Sequence, residues 1–335
     1  MLYALVRPLL FSLDPETAHQ VTLRFARFYS LFDGTVPSRP VNAMGLEFRN
    51  PIGLAAGLDK HAQYADALAA LGFGFIELGG VTLRPQPGNP KPRLFRIPQA
   101  QAIINRFGFN SIGVQAFVEN LKASSARSRC IVGVNIGRNR ETPREQVADE
   151  YERVLEAIYP HVDYVSINVS SPNTKGLRDM QSGEALGALL GHLRGKRDAL
   201  RERHGRQVAL TVKISSDLGE PELRQVADVL RRERMDGVVA ANTTVSRQGV
   251  AGLPFSSEEG GLSGAPLRAR ATAVLRTLVS ALKNEIPVIG SGGVMSGADA
   301  AEKFAAGAKL VQIYTGLVYR GPRLIQECVS AYPGK

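Results

Sequence analysis

Eight times along this chain a short apolar run rich in β-branched residues gives way to a helical stretch. The runs are Ile52–Gly57, Phe75–Gly79, Ile131–Asn135, Tyr164–Asn168, Ala209–Ile214, Gly237–Asn242, Pro287–Gly290 and Leu310–Tyr314. Their interiors are almost continuously hydrophobic, as parallel strands covered on both faces must be. Eight strand–helix units imply a closed (β/α)8 barrel, with an open doubly wound sheet as the alternative. Segment 44–50 adds a small strand pair at the barrel floor. Thr142-Pro143-Arg144-Glu145 reads as a capping box with proline at the first helical position.

Residues 1–40 stand apart from this alternation. MLYALVRPLLFSL is apolar except for Arg7 and is interrupted at Pro8. Asp14-Pro15-Glu16 then supplies a cap, a first-turn proline and a first-turn acid. The helix that follows places Ala18, Val21, Phe25, Phe28 and Phe32 at spacings of three and four, with Leu31 beside them and Arg24 and Arg27 flanking. Two readings fit: a helical hairpin packed on its own domain, or a monotopic patch lying in a membrane surface. No run reaches the length of a membrane-spanning helix.

The chain carries 41 Lys+Arg against 31 Asp+Glu, a formal charge of +10. Such a surplus suggests an anionic partner, with nucleic acid, lipid or a small ligand as the classes. Residues 194–206 hold six basic residues but no aromatics, so this run reads as a solvated helix end rather than a nucleic-acid surface. Residues 81–110 hold Arg84, Lys91, Arg93, Arg96 and Arg106 without a single acid. Their proline content forbids a regular helix and predicts a long ordered loop or lid. Cys130 and Cys328 stand alone, which excludes a disulfide scaffold, a structural zinc site and an iron–sulfur cluster held by this chain alone.

In a (β/α)8 barrel the chemistry lies at the strand C-termini. Here those ends carry Asp59 and Lys60, Asn135, Asn168, Lys213 and Asn242. Buried amides and lysines are costly without partners, so five polar ends on one rim point to a shared polar ligand. Asparagine amides suit a heterocycle with alternating C=O and N–H groups, and lysines suit an anion. Gly290-Ser291-Gly292-Gly293 and Tyr314-Thr315-Gly316, after the last two strands, suit a phosphate group. Ser171, held extended by Pro172, stands at the mouth. No histidine falls at a strand end, so the base required there is not histidine.

These residues resemble one family: dihydroorotate dehydrogenase of the membrane-associated, quinone-reducing class. The resemblance runs over essentially the whole chain and rests on GLAAGLDK (53–60), RPQPGNPKPRLFR (84–96), NRFGFN (105–110), GVNIGRN (133–139), INVSSPNTKGLR (167–178), NTT (242–244), GGLSG (260–264) and LVQIYTG (310–316). It implies a barrel domain over 41–335 that binds FMN and oxidises dihydroorotate to orotate in pyrimidine synthesis. Ser171 would be the base, with Thr174 and Phe109 shaping the path of its proton. Lys60, Asn105, Arg106, Phe107, Gly108, Phe109, Asn168, Asn173, Asn242 and Thr243 would bind substrate. Ala56, Gly57, Leu58, Asp59, Lys60, Asn135, Asn168, Lys213, Gly264, Gly293, Tyr314 and Thr315 would bind FMN.

Gly80 and Ala241 are also expected near the flavin, but they stand where the family often has threonine, so contact there would come from backbone rather than from a hydroxyl. The soluble class carries cysteine at the position of Ser171, and the serine places the chain with the membrane class. Residues 1–40 would admit a membrane quinone. The resemblance implies a peripheral enzyme on the cytoplasmic side of the inner membrane, with neither an iron–sulfur partner subunit nor nucleic acid. A flavin barrel that reduces uridine in tRNA would need a cysteine at the mouth, where neither Cys130 nor Cys328 falls.

Overall fold

The structure, a computed structural model, describes residues 2–29, 36–173, 176–181 and 183–334, with the side chains of residues 2 and 27–29 outside that description. Two helices, α1 (Leu2–Ser12) and α2 (Pro15–Tyr29), precede a hairpin of β1 (Val41–Ala43) and β2 (Leu46–Phe48). The barrel strands follow as β3 (Ile52–Leu54), β4 (Phe75–Val81), β7 (Ile131–Ile136), β8 (Tyr164–Asn168), β9 (Ala209–Lys213), β10 (Gly237–Ala240), β12 (Val288–Ser291) and β13 (Leu310–Ile313). They pair in parallel in that order, and β13 closes on β3. All eight coincide with the apolar runs of the sequence. Around them run α3 (Ala65–Ala70), α4 (Val114–Ala123), α5 (Val147–Ile158), α6 (Gly183–His204), α7 (Glu220–Arg232), α8 (Arg268–Leu282), α9 (Gly297–Ala305), α10 (Thr315–Arg320) and α11 (Arg323–Ser330).

Side chains from alternate strands and from the hairpin fill the barrel floor. Phe48 meets Phe75 edge-on at 5.4 Å, and Phe75 meets Tyr164 at 6.3 Å. Glycines leave room for these rings: a Cβ on Gly53 would lie 2.3 Å from the Phe75 ring, and one on Gly133 2.0 Å from Tyr164. Val41, Ala43 and Phe48 of the hairpin close the layer from below, as the strand pair at 44–50 predicts.

Two expectations need correction. The acid-free segment 81–110 is not all loop: β5 (Leu94–Ile97) and β6 (Ala102–Asn105) form an antiparallel hairpin, extended by β11 (Gly261–Gly264). This three-stranded sheet covers one side of the barrel mouth. The capping box at 142–145 does not form; residues 144–146 make a 3-10 turn, and the Thr142 hydroxyl instead accepts from Arg84 at 3.2 Å. On α2 the buried positions are Glu16, Ala18, Leu23 and Ala26, whereas Phe25 is exposed. Leu31 and Phe32 lie outside the described residues, as does the Phe28 side chain.

The N-terminal helices are fastened by the basic segment. Asp14 accepts from the backbone N–H of Thr17 at 2.9 Å and of Glu16 at 3.1 Å, which starts α2. Arg93 grips Glu16 through two bonds of 2.8 and 3.2 Å, both side chains nearly buried. Arg96 donates to the carbonyls of Leu10, Phe11 and Leu13, closing the C-terminal end of α1. The basic run at 194–206 ends α6 as expected, except that Arg197 is buried and pairs with Asp236 at 2.8 Å.

Because the floor is packed ring against ring, Gly133→Ala should force Tyr164 aside and cost about 1–3 kcal/mol. A fall in the urea midpoint at unchanged slope would register it; an unshifted midpoint would mean the floor can relax.

Candidate active site

Above that apolar floor the barrel interior turns polar. Glu77, in the middle of β4, has no solvent exposure. One carboxylate oxygen accepts from Asn135 Nδ2 at 3.0 Å; the other accepts from Gln312 Nε2 at 2.7 Å and Tyr164 OH at 3.1 Å. Lys213 Nζ lies 4.0 Å from the first oxygen. Burial pushes the Lys213 ammonium below its ordinary value, and the Glu77 charge opposes that push. Burial, reinforced by Glu77, holds the Tyr164 phenol protonated well beyond its usual range.

The hydrogen bonds continue upward from Glu77 to the rim. Asn168 Nδ2 donates to Asn135 Oδ1 at 3.0 Å, and the Ser170 hydroxyl donates to Asn168 Oδ1 at 3.0 Å. Asn242 Nδ2 donates to Ser170 Oγ at 3.0 Å, and Asn242 Oδ1 accepts from the Thr243 N–H at 2.9 Å. Ser171, 8% exposed, follows directly and accepts from the Asn173 N–H at 3.3 Å. Asn173 Nδ2 in turn reaches the carbonyl of Asn105 at 3.3 Å, joining the loop after β8 to the three-stranded sheet.

These groups line one cavity with about 1120 Å³ of empty space, part of it open to solvent. It brings together Ala56, Gly57, Lys60, Gly80, Asn105, Phe107, Gly108, Phe109, Asn135, Asn168, Ser171, Asn173, Lys213, Ala241, Asn242, Thr243, Gly264, Gly293, Tyr314 and Thr315. It does not bring in Leu58, Asp59 or Arg106. Asp59 is turned into the chain and accepts from the N–H groups of His61, Gln63 and Tyr64. Arg106 points outward to Glu258 at 2.6 Å and lies over Phe95. Thr174 lies outside the described residues. Glu77, Gln312 and Ser263 are not singled out by the sequence; a charged or amide side chain amid an apolar strand, as in FIELGG and LVQIY, is the available signal for the first two.

Lys60 donates to the Gly57 carbonyl at 2.6 Å, with its ammonium 3.9 Å from the centre of the Phe107 ring. Burial, helped by the charge of Arg93, brings its pKa down to about 8. The Phe109 ring occupies the space that side chains at Gly80 and Gly137 would need, 2.6 Å from either missing Cβ. A residue larger than glycine at 80 therefore requires that ring to move.

A second, mostly apolar cavity lies beneath α1 and α2, lined by Phe11, Ala18, Leu23, Leu58 and Val318 with His19, Arg96 and Tyr3 as its polar members. Leu94, Ile103 and Tyr314 line both cavities and form the wall between them. Burial, with Lys60 adding to it, lowers the His19 pKa to about 4, so the imidazole is neutral at pH 7. Cys130 and Cys328 line neither cavity, and burial raises both thiols to about 12. Among the described residues no group of His, Cys, Asp and Glu could hold a metal ion.

A family model described as dihydroorotate dehydrogenase matches residues 39–331. The chain belongs to the dihydroorotate dehydrogenase family. Relatives named dihydroorotate dehydrogenase (quinone) from Aromatoleum aromaticum and Acinetobacter baylyi are each 52% identical over 334 residues, covering 99% of this chain and 95% and 99% of theirs. A crystal structure of DHODH from Eimeria tenella in complex with ferulenol superposes with a TM-score of 0.89 at 35% identity, covering 95% of this chain and 90% of that one. The ligand-free form from the same organism gives 0.88 at 36% identity, covering 95% and 94%. The family's barrel, with its N-terminal helical extension, is thus the architecture found here.

Proposed function

We infer that this chain is a quinone-dependent dihydroorotate dehydrogenase: it oxidises dihydroorotate to orotate in pyrimidine synthesis. The observation that carries this is the shared wall, by which a polar cavity holding Ser171 and two buried lysines adjoins an apolar cavity under the N-terminal helices. The substrate loses a proton from carbon 5 and a hydride from carbon 6, gaining the ring double bond. FMN, when bound, would supply the hydride acceptor and pass the electrons to quinone.

The residues present fit that cofactor. Gln312 lines the cavity with a buried carbonyl oxygen that has no protein partner, as a ring N–H would require. Gly264 and Gly293 line the cavity with backbone alone, and each is packed so closely that a Cβ would fall 2.2–2.3 Å from Gln101 or Arg268. Ala56, Gly57, Lys60, Gly80, Asn135, Asn168, Lys213, Ala241, Tyr314 and Thr315 complete the proposed contacts, with Leu58 and Asp59 contributing only backbone. Lys213 favours negative charge on the ring.

Ser171 takes the proton. A hydroxyl is a weak base at its ordinary pKa, so alignment by the Asn173 N–H and by extended backbone carries much of the work. Phe109 closes one side of the site, and Thr174 is proposed to help pass the proton outward. Lys60 grips the substrate carboxylate, while Asn105, Asn168, Asn173, Asn242 and Thr243 read the ring, enclosed by Phe107 and Gly108. Arg106 acts by holding Phe95 and Glu258 in place rather than by direct contact.

We place the quinone in the second cavity. Leu5, Leu9 and Phe25 stand more than half exposed on α1 and α2, which suits helices resting on the membrane surface. No helix among the described residues is long and apolar enough to cross a membrane. Residues 1–40 are therefore proposed as a peripheral anchor and quinone entrance, on the cytoplasmic side of the inner membrane.

The purified protein should be yellow and should reduce a quinone analogue when given dihydroorotate; colourless protein releasing no FMN on denaturation would sink this reading. Ser171→Ala should keep its flavin yet lose turnover by a factor of roughly 10²–10⁴, the usual share of a positioned base, and an active variant would remove Ser171 from the chemistry. Ala18→Trp, which fills the second cavity, should leave flavin reduction by substrate intact and slow reoxidation by quinone. Stopped-flow absorbance resolves the two halves, and equal loss in both would refute the assignment of that cavity. Lys60 is charged below about 8 and loses its proton as pH rises through that value. Orotate affinity, read by flavin absorbance, should therefore fall by up to about tenfold per pH unit above it; flat affinity to pH 10 would exclude the lysine.

A further inference from the structure

The hydrogen bonds from Glu77 to the rim all run in one sense. A carboxylate without a proton can only accept, so Asn135 must turn its NH2 toward Glu77. Its Oδ1 then faces the Asn168 NH2, and Asn168 presents its own Oδ1 to the Ser170 hydroxyl. Ser170, its proton so committed, accepts from the Asn242 NH2, which leaves Asn242 Oδ1 for the Thr243 N–H. Gln312 obeys the same constraint, giving its NH2 to Glu77 and keeping its carbonyl oxygen free. An amide chain has no preferred direction of its own, because each asparagine can be turned over without changing its shape. At the rim, groups that only donate fix it, the Ser170 N–H meeting Asn168 Oδ1 at 3.1 Å and the Thr243 N–H meeting Asn242 Oδ1; at its base a group that only accepts must receive both Asn135 and Gln312. Tyr164, whose phenol only donates to Glu77, and Lys213, which only donates, are compatible with that end.

We propose that Glu77 is a positioning residue: by accepting from Asn135 and Gln312 at once, it holds Asn135 in the sense that the rim's backbone donors require and leaves the Gln312 carbonyl oxygen free, so that one pattern faces bound rings. It touches neither substrate nor cofactor directly. Its reach is long because a buried network is not screened by water, and a reversed amide leaves donors facing donors. The proposal rests on the reading above, that this cavity binds orotate beside a flavin.

The test is orotate binding to purified holoenzyme, followed by flavin absorbance without turnover. Glu77→Gln keeps the shape but offers an acceptor to only one of Asn135 and Gln312, and orotate should bind about tenfold more weakly. Glu77→Gln combined with Asn135→Asp moves the acceptor-only end one residue upward. The carboxylate placed at position 135 then accepts both from the amide placed at position 77 and from Asn168. The oxygen of the amide at position 77 is then free to accept from Gln312, and affinity should return to within about threefold of wild type. A single variant that binds like wild type, or a double variant no better than the single, overturns the proposal; a purely structural role gives no reason for a second substitution to rescue. If Glu77→Gln yields no holoenzyme, the comparison is between Asn135→Asp alone, which faces one carboxylate with another, and the double variant. The double must then bind orotate more tightly. Wild-type holoenzyme that fails to bind orotate at all would instead refute the underlying reading.

Discussion

A carboxylate sealed inside the barrel dictates how the rest of this site is built. Below Glu77 the barrel is closed by aromatic rings packed over glycines; above it, Asn135, Asn168 and Gln312 give their amide N–H groups to Glu77 or to one another. Burying one charge is expensive unless it is matched and hydrogen-bonded. Three donors and the Lys213 ammonium meet that cost, and all but Tyr164 line the cavity. Stabilising the charge and arranging the ligand site are therefore one structural problem.

The formal charge of +10 finds a similar resolution outside the barrel. The basic residues of 81–110 look like a patch awaiting an anion, yet each of the four arginines has a task within the fold, and Lys91 lies 3.5 Å from Glu16. Arg93 pairs with Glu16, Arg96 closes α1, Arg106 pairs with Glu258, and Arg84 bonds Thr142. Two of these hold the N-terminal helices over the second cavity. Buried, bidentate guanidinium bonds of this kind do more than surface ion pairs, whose contribution is small. Part of the surplus thus serves to attach the helices.

The barrel was legible because parallel strands covered on both sides must be apolar along their whole length, and eight such runs have few other arrangements. The rim was legible because Asn and Lys at the ends of those runs contradict the pattern. The three-stranded sheet was not. Its strands have four residues each, one is the glycine-rich Gly261–Gly264, and that strand pairs with a segment more than 150 positions earlier. Nor could periodicity place Phe25, since apolar spacing marks a face of a helix without saying whether protein or lipid covers it. Glu77 and Gln312 were missed because the strand interiors were taken as uniformly core. Asp59 stands beside Lys60 in sequence, but three backbone N–H groups turn it away from the cavity.

A barrel has one mouth, and here two unlike molecules must reach the same centre: a water-soluble anion and an apolar acceptor. The three-stranded sheet resolves this conflict. Leu94 and Ile103 from the sheet, with Tyr314 beyond β13, divide the space above the barrel into a polar half and an apolar half. Asn105, at the end of β6, holds the loop of Ser171 through Asn173 on one side of that wall, while Arg96 on β5 holds α1 on the other. The same short sheet therefore braces the loop of Ser171 and anchors the helices over the apolar cavity. An insertion that displaced the sheet would open the two cavities into one, letting water into the apolar half. Its antiparallel bond to a distant segment, Asn105 opposite Gly261, is what keeps so small a partition in register.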